Sequence, residues 1–264
     1  MMRIGLAIVL VAVLAAVLGP SLSPYDPSAQ TLAQRLEPPS RSHPLGLDEL
    51  GRDILSRLVS GARISLFVGL AVVSVSSLLG MALGSIAGYF GGAVDDVISR
   101  TIDILMAFPG ILLAIALVAV LGPSLTNVIL ALCVIGWVGY ARLVRGHALR
   151  AREFEYVQAA RALGAGPARI VMKHVLPTAF PTVIVQATLG MAGAIIAEAS
   201  LSFLGLGVQP PTPSWGTMLD AGRSHLFDAP HLTIFPGVAI ATLVLGFNFL
   251  GDGLRDRIDP KGRI

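Results

Sequence analysis

Six runs of this 264-residue chain, at 4–19, 64–90, 102–121, 127–144, 181–206 and 233–251, approach or exceed the length a helix needs to cross a bilayer, about 20 residues over about 30 Å of hydrocarbon. That feature excludes most folds at once. Charged residues make up 13% of the chain, against about 25% in an ordinary soluble domain, and the mean hydropathy is +0.77. No hydrophilic block is long enough to fold as a separate soluble domain. The expected fold is an all-α membrane protein with six transmembrane helices. The single cysteine, Cys133, lies inside an apolar run, so neither a disulfide framework nor a cysteine-based metal site can be built. The run at 4–19 is the weakest. With Arg3 before it and small residues after it, it also fits a cleaved signal peptide, but Pro20 and the lack of a clear small-x-small cleavage pattern favour a retained span.

A pI near 9.4 would suggest nucleic acid in a soluble protein. Here the arginines gather at the ends of apolar runs, as the positive-inside bias requires, so lipid and not nucleic acid is the expected partner. The connection between the fourth and fifth runs holds Arg142, Arg145, Arg150, Arg152, Arg161, Arg169 and Lys173, and the tail holds Arg255, Arg257, Lys261 and Arg263. With Arg3 and Arg100, these put thirteen of the 19 basic residues on the cytoplasmic side. The other side receives Arg223 and a first loop with Arg35, Arg41, Arg52, Arg57 and Arg63, which fits the bias least well. Both termini are therefore expected in the cytoplasm.

Within the second run, Ser76, Gly80, Gly84 and Gly88 recur every four residues and fall on one helix face. Small residues at that spacing let another helix approach closely where lipid supplies no hydrophobic drive. Packing inside the subunit is the expected use, with a subunit interface as the alternative.

One polar segment interrupts the apolar pattern, "EYVQAARALGAGPARIVMKHVLP" at 155–177. Residues 153–163 read as a short helix, with Phe154, Val157, Ala160 and Leu163 three apart on one side. Gly164 stands where a C-terminal cap takes a left-handed residue, Gly166 can act as an N-cap, and Pro167 suits the first position of a second helix. That helix carries Ile170, Val171, His174 and Val175, and Pro177 is expected to end it. Plain helix connections need only about 2 to 8 residues, so a structured hairpin of this length is more than a connector.

Gln158-Ala159-Ala160, then Gly164, then Leu176-Pro177 resembles the "EAA" loop of permease subunits of ATP-binding-cassette (ABC) importers, with Gln158 in place of the usual Glu and His174 in place of Ile. Three further stretches, "HPLGLDELGRDILSRLVSGARISL" at 43–66, "LSFLGLGVQPPTPSWGTML" at 201–219 and "FNFLGDGLRDRIDPK" at 247–261, resemble the C-type permease of the dipeptide, oligopeptide and nickel importers. The resemblance implies a type I ABC importer permease fold in a bacterial or archaeal cytoplasmic membrane. It also implies that the loop at 145–179 is a coupling element seated in a groove of a cytoplasmic ATPase. Gln158, Ala159, Ala160, Arg161, Gly164, Arg169, Leu176 and Pro177 would form it: the alanines permit close approach, Gly164 fixes the turn, and Arg161 and Arg169 meet an acidic rim. The implied partners are a homologous permease subunit, two ABC ATPases and an external substrate-binding protein.

A search for chemistry finds none in the chain itself. Only two lysines occur, in "MKH" and "PKG", so no Gly-Lys-Ser/Thr phosphate loop exists and the chain is not expected to be an enzyme. ATP and magnesium would belong to the partner ATPases. His43, His147, His174, His225 and His231 make no close metal-ligand set, so no metal and no cofactor are expected here. Glu198, in "AIIAEASLSF", is the informative polar residue within a span. An ionisable group at that depth faces a cavity or a bundle interior. With Asn248 on the sixth run, it is the candidate for the translocation path, structural hydrogen bonding being the alternative.

In the first outer loop, Ile54, Leu55, Leu58, Val59 and Ala62 recur at helical spacing, an amphipathic stretch able to lie in the membrane interface. Trp215 in the last outer loop is a plausible interfacial anchor. The chain thus divides into 1–63, a first transmembrane helix and an external loop, and 64–264, a permease core of five transmembrane helices. The expected function is movement of dipeptides or oligopeptides by alternating access. A nickel or metal-chelate importer of the same architecture is the alternative, and an ion-coupled secondary transporter is disfavoured because no two halves match. The charge bias makes a direct prediction. Single cysteines introduced at Ala168 and Thr212 should react with an impermeant reagent from the cytoplasm and from the exterior respectively, and labelling of Ala168 from the exterior would overturn the orientation.

Overall fold

The computed structural model describes residues 1–258, the side chain of Pro20 apart; Lys261 and Arg263 of the tail lie outside them. In chain order the helices are α1 (Met2–Leu22), α2 (Ile54–Phe90), α3 (Gly92–Ala107), α4 (Gly110–Leu121), α5 (Leu125–Ala151), α6 (Glu155–Ala162), α7 (Pro167–Ile170), α8 (Leu176–Phe203), α9 (Trp215–Gly222) and α10 (His231–Ile258). Apart from one isolated bridge between Leu47 and Asp53, no strand occurs among the described residues. Five helices are long and apolar enough to cross a membrane, or six if the bent pair α3 and α4 counts as one span.

That pair corrects the reading of 102–121 as a single straight span. α3 and α4 meet at 88° across Phe108 and Pro109. A residue before proline is pushed out of the helical region, and Phe108 is extended at φ −95°, ψ 139°. Gly122 and Ser124 then turn the chain into α5, with the Ser124 hydroxyl accepting from the Asn127 N–H at 3.1 Å.

The centre of the bundle is the seam between α2 and α5, and the glycine stripe is spent there. A methyl group at Gly80 would stand 2.7 Å from the Trp137 carbonyl oxygen, and one at Gly88 would stand 2.6 Å from the Ala148 Cβ. At Gly84 it would run into the Ala141 carbonyl oxygen. Internal packing is therefore what the four-residue spacing serves, because only glycine lets the two backbones come so close. On the far side of the bundle α1 lies along α10, where Gly5 receives the Gly246 carbonyl and Gly253 receives Met2.

Two amphipathic readings change. The stretch at 54–62 does not lie apart in the interface: it forms the first turns of α2, which runs unbroken across the 63/64 boundary. Its start is fixed by the "HPLGLDELGRD" segment, folded into a buried knot. Asp53 caps α2 by accepting from the Ser56 N–H at 2.8 Å and its hydroxyl at 2.7 Å. Arg52 Nε meets Asp48 at 2.7 Å, Arg57 Nε approaches the same carboxylate at 3.4 Å, and His43 lies 3.0 Å from Asp53. Nor is Trp215 an interfacial anchor. It is buried, and its indole N–H donates to the Leu58 carbonyl oxygen at 2.8 Å, which holds α9 against α2.

The α2–α5 seam yields a stability test. Gly84→Val forces side-chain atoms into the α5 backbone, an overpacking cost of about 1–3 kcal/mol or more, and should lower folded yield and thermal stability in detergent. Gly139→Ala, on the open side of α5 where a methyl group meets nothing within 4 Å, should leave both unchanged.

Candidate functional site

The polar hairpin is built from α6, the turn at Leu163 to Gly166, and α7. The turn takes the form the sequence requires. Gly164 is left-handed at φ 83°, its N–H donates to the Arg161 carbonyl at 3.0 Å, and the Ala165 N–H donates to the Ala160 carbonyl at 3.0 Å. These two bonds are the 5→2 and 6→1 pair of a Schellman cap. Gly166 is the N-cap of α7 and Pro167 stands in its first turn.

The hairpin rests on the ends of α2 and α5. Val157, Ile170 and Val175 are fully buried against Tyr89, Ala148 and Ala151, each contributing about 1.5–3 kcal/mol of burial. The apolar face is narrower than the three-residue spacing suggested. Phe154 and Leu163 are exposed, Leu163 at 89%, because nine residues turn a helix by about half a revolution and carry the two ends of that spacing to opposite sides.

The candidate residues of the hairpin separate into an exposed set and a seated set. Gln158, Ala159, Arg161 and Arg169 are exposed, while Ala160 and Leu176 are half-buried. The Gln158 side-chain amide donates back to the Glu153 carbonyl at 3.2 Å. The Arg161 guanidinium carbon lies 5.5 Å from the centre of the Tyr89 ring, a cation–π distance. Tyr89 went unnoticed in the sequence because nothing local marks it as a seat for a segment about 70 residues further on.

Pro177 does not end the second helix. The chain passes from α7 through a π-helical turn, Val171–Val175, straight into α8, with the Leu176 N–H donating to the Val171 carbonyl. A wider turn of this kind leaves a carbonyl free where proline has no N–H to offer. The hairpin and the fifth span are thus one helical path from Pro167 to Phe203. Beside it, Arg145 Nη2 on α5 meets Asp95 on α3 at 2.8 Å, bracing the same end of the bundle.

The two path candidates are not brought together. Glu198 is fully buried within the subunit. Its carboxylate accepts from Ser202 at 2.8 Å on its own helix and from Ser65 at 3.2 Å on α2. That arrangement favours the structural role weighed for this residue. Asn248 is half-buried on α10. Glu198 stands five residues from one end of its helix and Asn248 seventeen from the same end of α10, a difference in depth of about 18 Å at helical rise.

Residues 80–264 match the family model described as the binding-protein-dependent transport system inner membrane component. The chain belongs to that family. Residues 1–39 match a second model, the N-terminal TM domain of oligopeptide transport permease C. Among curated permeases, the chain is 46% identical over 258 residues to the dipeptide transport system permease protein DppC of Alkalihalophilus pseudofirmus, covering 98% of this chain and 85% of that one. It is 48% identical over 241 residues to the glutathione transport system permease protein GsiD of Pectobacterium atrosepticum, covering 91% and 80%. The permease fold also matches an inward-facing structure of the MetNI methionine ABC transporter at a TM-score of 0.62 and 21% identity, over 77% of this chain and 96% of that one.

The environment of Glu198 predicts how the permease responds to its loss. Glu198→Ala leaves the hydroxyls of Ser65 and Ser202 without their acceptor, a penalty of about 1–3 kcal/mol for each buried group. It should lower the melting temperature of the detergent-purified complex, while Glu198→Gln, which keeps an acceptor oxygen, should lower it less. Equal stability of all three forms would remove the structural role.

Proposed function

We propose that this permease imports dipeptides or oligopeptides as one of a pair of homologous membrane subunits driven by two separate ABC ATPases. The reading of cargo follows the relatives, two of which are named for dipeptide and glutathione transport. The observation that carries the mechanism is the hairpin: a small, capped element, seated on α2 and α5 and continuous with α8, with Gln158, Ala159, Arg161 and Leu163 turned outward. Such an element has a direct helical route by which displacement can pass to α8. In this reading the hairpin end of the bundle and both termini lie in the cytoplasm, and α6 docks into a groove of an ATPase that holds ATP and magnesium. The opposite end, with the knot around Asp48 and the exposed Leu226 and Phe227, faces a substrate-binding protein. Closure and opening of the ATPase pair then alternate the access of the path between the two sides.

Gly164 offers a clean test. A side chain there meets nothing within 4 Å, so its only penalty is the left-handed backbone at φ 83°. That strain amounts to about 1–3 kcal/mol, and even 1 to 2 kcal/mol shifts a conformational ratio by about 5- to 30-fold. Gly164→Val should leave the permease pair in the membrane, weaken co-purification of the ATPases, and reduce uptake into vesicles by a similar factor. Gly166→Ala, at φ −69° with open space around it, should retain most activity. Normal uptake with Gly164→Val would sink the coupling role, and loss of the whole complex would show that the hairpin serves folding.

A further inference from the structure

One face of α8 differs from the rest of that helix. Thr182, Gln186, Gly190, Gly193 and Ala197 recur at intervals of three and four, which places them within about a quarter-turn of one another. The other side of α8 carries Phe180 and Ile184, exposed and bulky as a lipid-facing surface requires. The small face borders two cavities in succession. The first, of about 280 Å³, opens between α2, α5 and α8 at the foot of α4. The second, of about 330 Å³, continues toward the hairpin end between α5, α8 and α10. Gln186 lines both.

A stripe of small residues would mean little alone, but the first cavity holds a buried polar group that the chain does not satisfy. Ser76, on α2, is 1% exposed, and its hydroxyl finds no hydrogen-bond partner among the described residues. Such a group costs about 1–3 kcal/mol unless something supplies a partner. Tyr140 joins it from α5, its hydroxyl resting on Gly190, where a methyl group would stand 2.5 Å from the oxygen. The Tyr140 hydroxyl also donates to the Gln186 backbone carbonyl oxygen at 3.5 Å, so the side chains left to face the two cavities with uncharged polar groups are Gln186 and Thr182, in an otherwise largely apolar wall. Among the lining residues of both cavities only Arg255, at the mouth near the hairpin end, carries a charge.

We infer that the Thr182-to-Ala197 face of α8, backed by the buried Ser76 and Tyr140, is this subunit's wall of the transport path, and that Gln186 and Thr182 on it receive the amide backbone of a short peptide in transit. The peptide as cargo rests on the function proposed above; the course of the path does not. Hydroxyls and a carboxamide can both donate and accept, which matches an amide group and is indifferent to side chains. Gln186, at the junction of the two cavities, stands where cargo passes from one to the other. Glu198 and Asn248 lie outside both linings.

The test uses the assembled transporter, reconstituted with its partner permease, ATPases and binding protein, and radiolabelled dialanine as probe. Gly193 faces open space, with nothing within 4 Å of a Cβ placed there. Gly193→Leu should narrow the cavity without a clash inside the subunit and lower uptake about tenfold, a barrier increase of about 1.4 kcal/mol. Gly193→Ala should stay near wild type. Gln186→Leu should reduce uptake several-fold and Gln186→Asn much less. In a chain whose Cys133 is replaced by alanine, Gly193→Cys should react with a water-soluble thiol reagent during turnover, and dialanine should slow that reaction. Normal uptake by Gly193→Leu, or reaction of Gly193→Cys with lipid-soluble reagents alone, would overturn the path. Should Gly193→Leu fail to assemble, the cysteine reaction decides between these outcomes. Unchanged uptake by Gln186→Leu would overturn amide recognition. A wild-type complex that ignores dialanine while Gly193→Cys still reacts from water would count against the cargo and leave the path standing.

Discussion

Lipid gives helices no hydrophobic reason to associate, so the close approach of α2 and α5 must come from shape. Gly80, Gly84 and Gly88 supply it by removing every side-chain atom between the two backbones. The rest of the bundle is arranged around that seam. α8 packs on both helices, the hairpin is seated on their shared end through Tyr89, Ala148 and Ala151, and Ser76, one turn before the first glycine, opens onto the first cavity.

Much of this was legible because local chemistry decided it. Gly164, Gly166 and Pro167 each demand a particular backbone geometry from their immediate neighbours, and each takes it. The glycine stripe was legible for the same reason: the four-residue spacing leaves one face bare wherever the helix is placed. The course of 102–121 was not, since its hydropathy suits a span while Pro109 bends it, and hydropathy does not record direction.

Where single residues read differently in the structure, a partner or turn outside the local signature settled the matter. Trp215 carries the composition of an interfacial anchor, yet the Leu58 carbonyl, 157 residues away, takes its N–H. Pro177 has the signature of a helix end, but the π-turn before it absorbs the missing donor. Glu198 reads as a path residue or as a tie between helices, and its bonds to Ser202 and to Ser65, 133 residues away, favour the tie. No periodicity within a single run could have revealed these partners. The α8 face proposed as the path drew no notice for the opposite reason. Glycines and alanines attract little notice in a membrane helix, and their meaning appears only when the space in front of them is seen to be empty.

The continuity of the hairpin with α8 gives the molecule a lever. From Pro167 to Phe203 the helical path runs 37 residues, about 55 Å at helical rise and well beyond the thickness of the hydrocarbon. Its short arm is the second helix of the hairpin and its long arm carries the small face that borders both cavities. In the proposed coupling, a tilt of about 5° imposed at the short arm would displace Phe203, about 42 Å beyond the π-turn, by about 4 Å. The π-turn at Val171–Val175, wound more loosely than the helix on either side, is where such a lever would flex first, so its stiffness sets how much of each stroke reaches the far end.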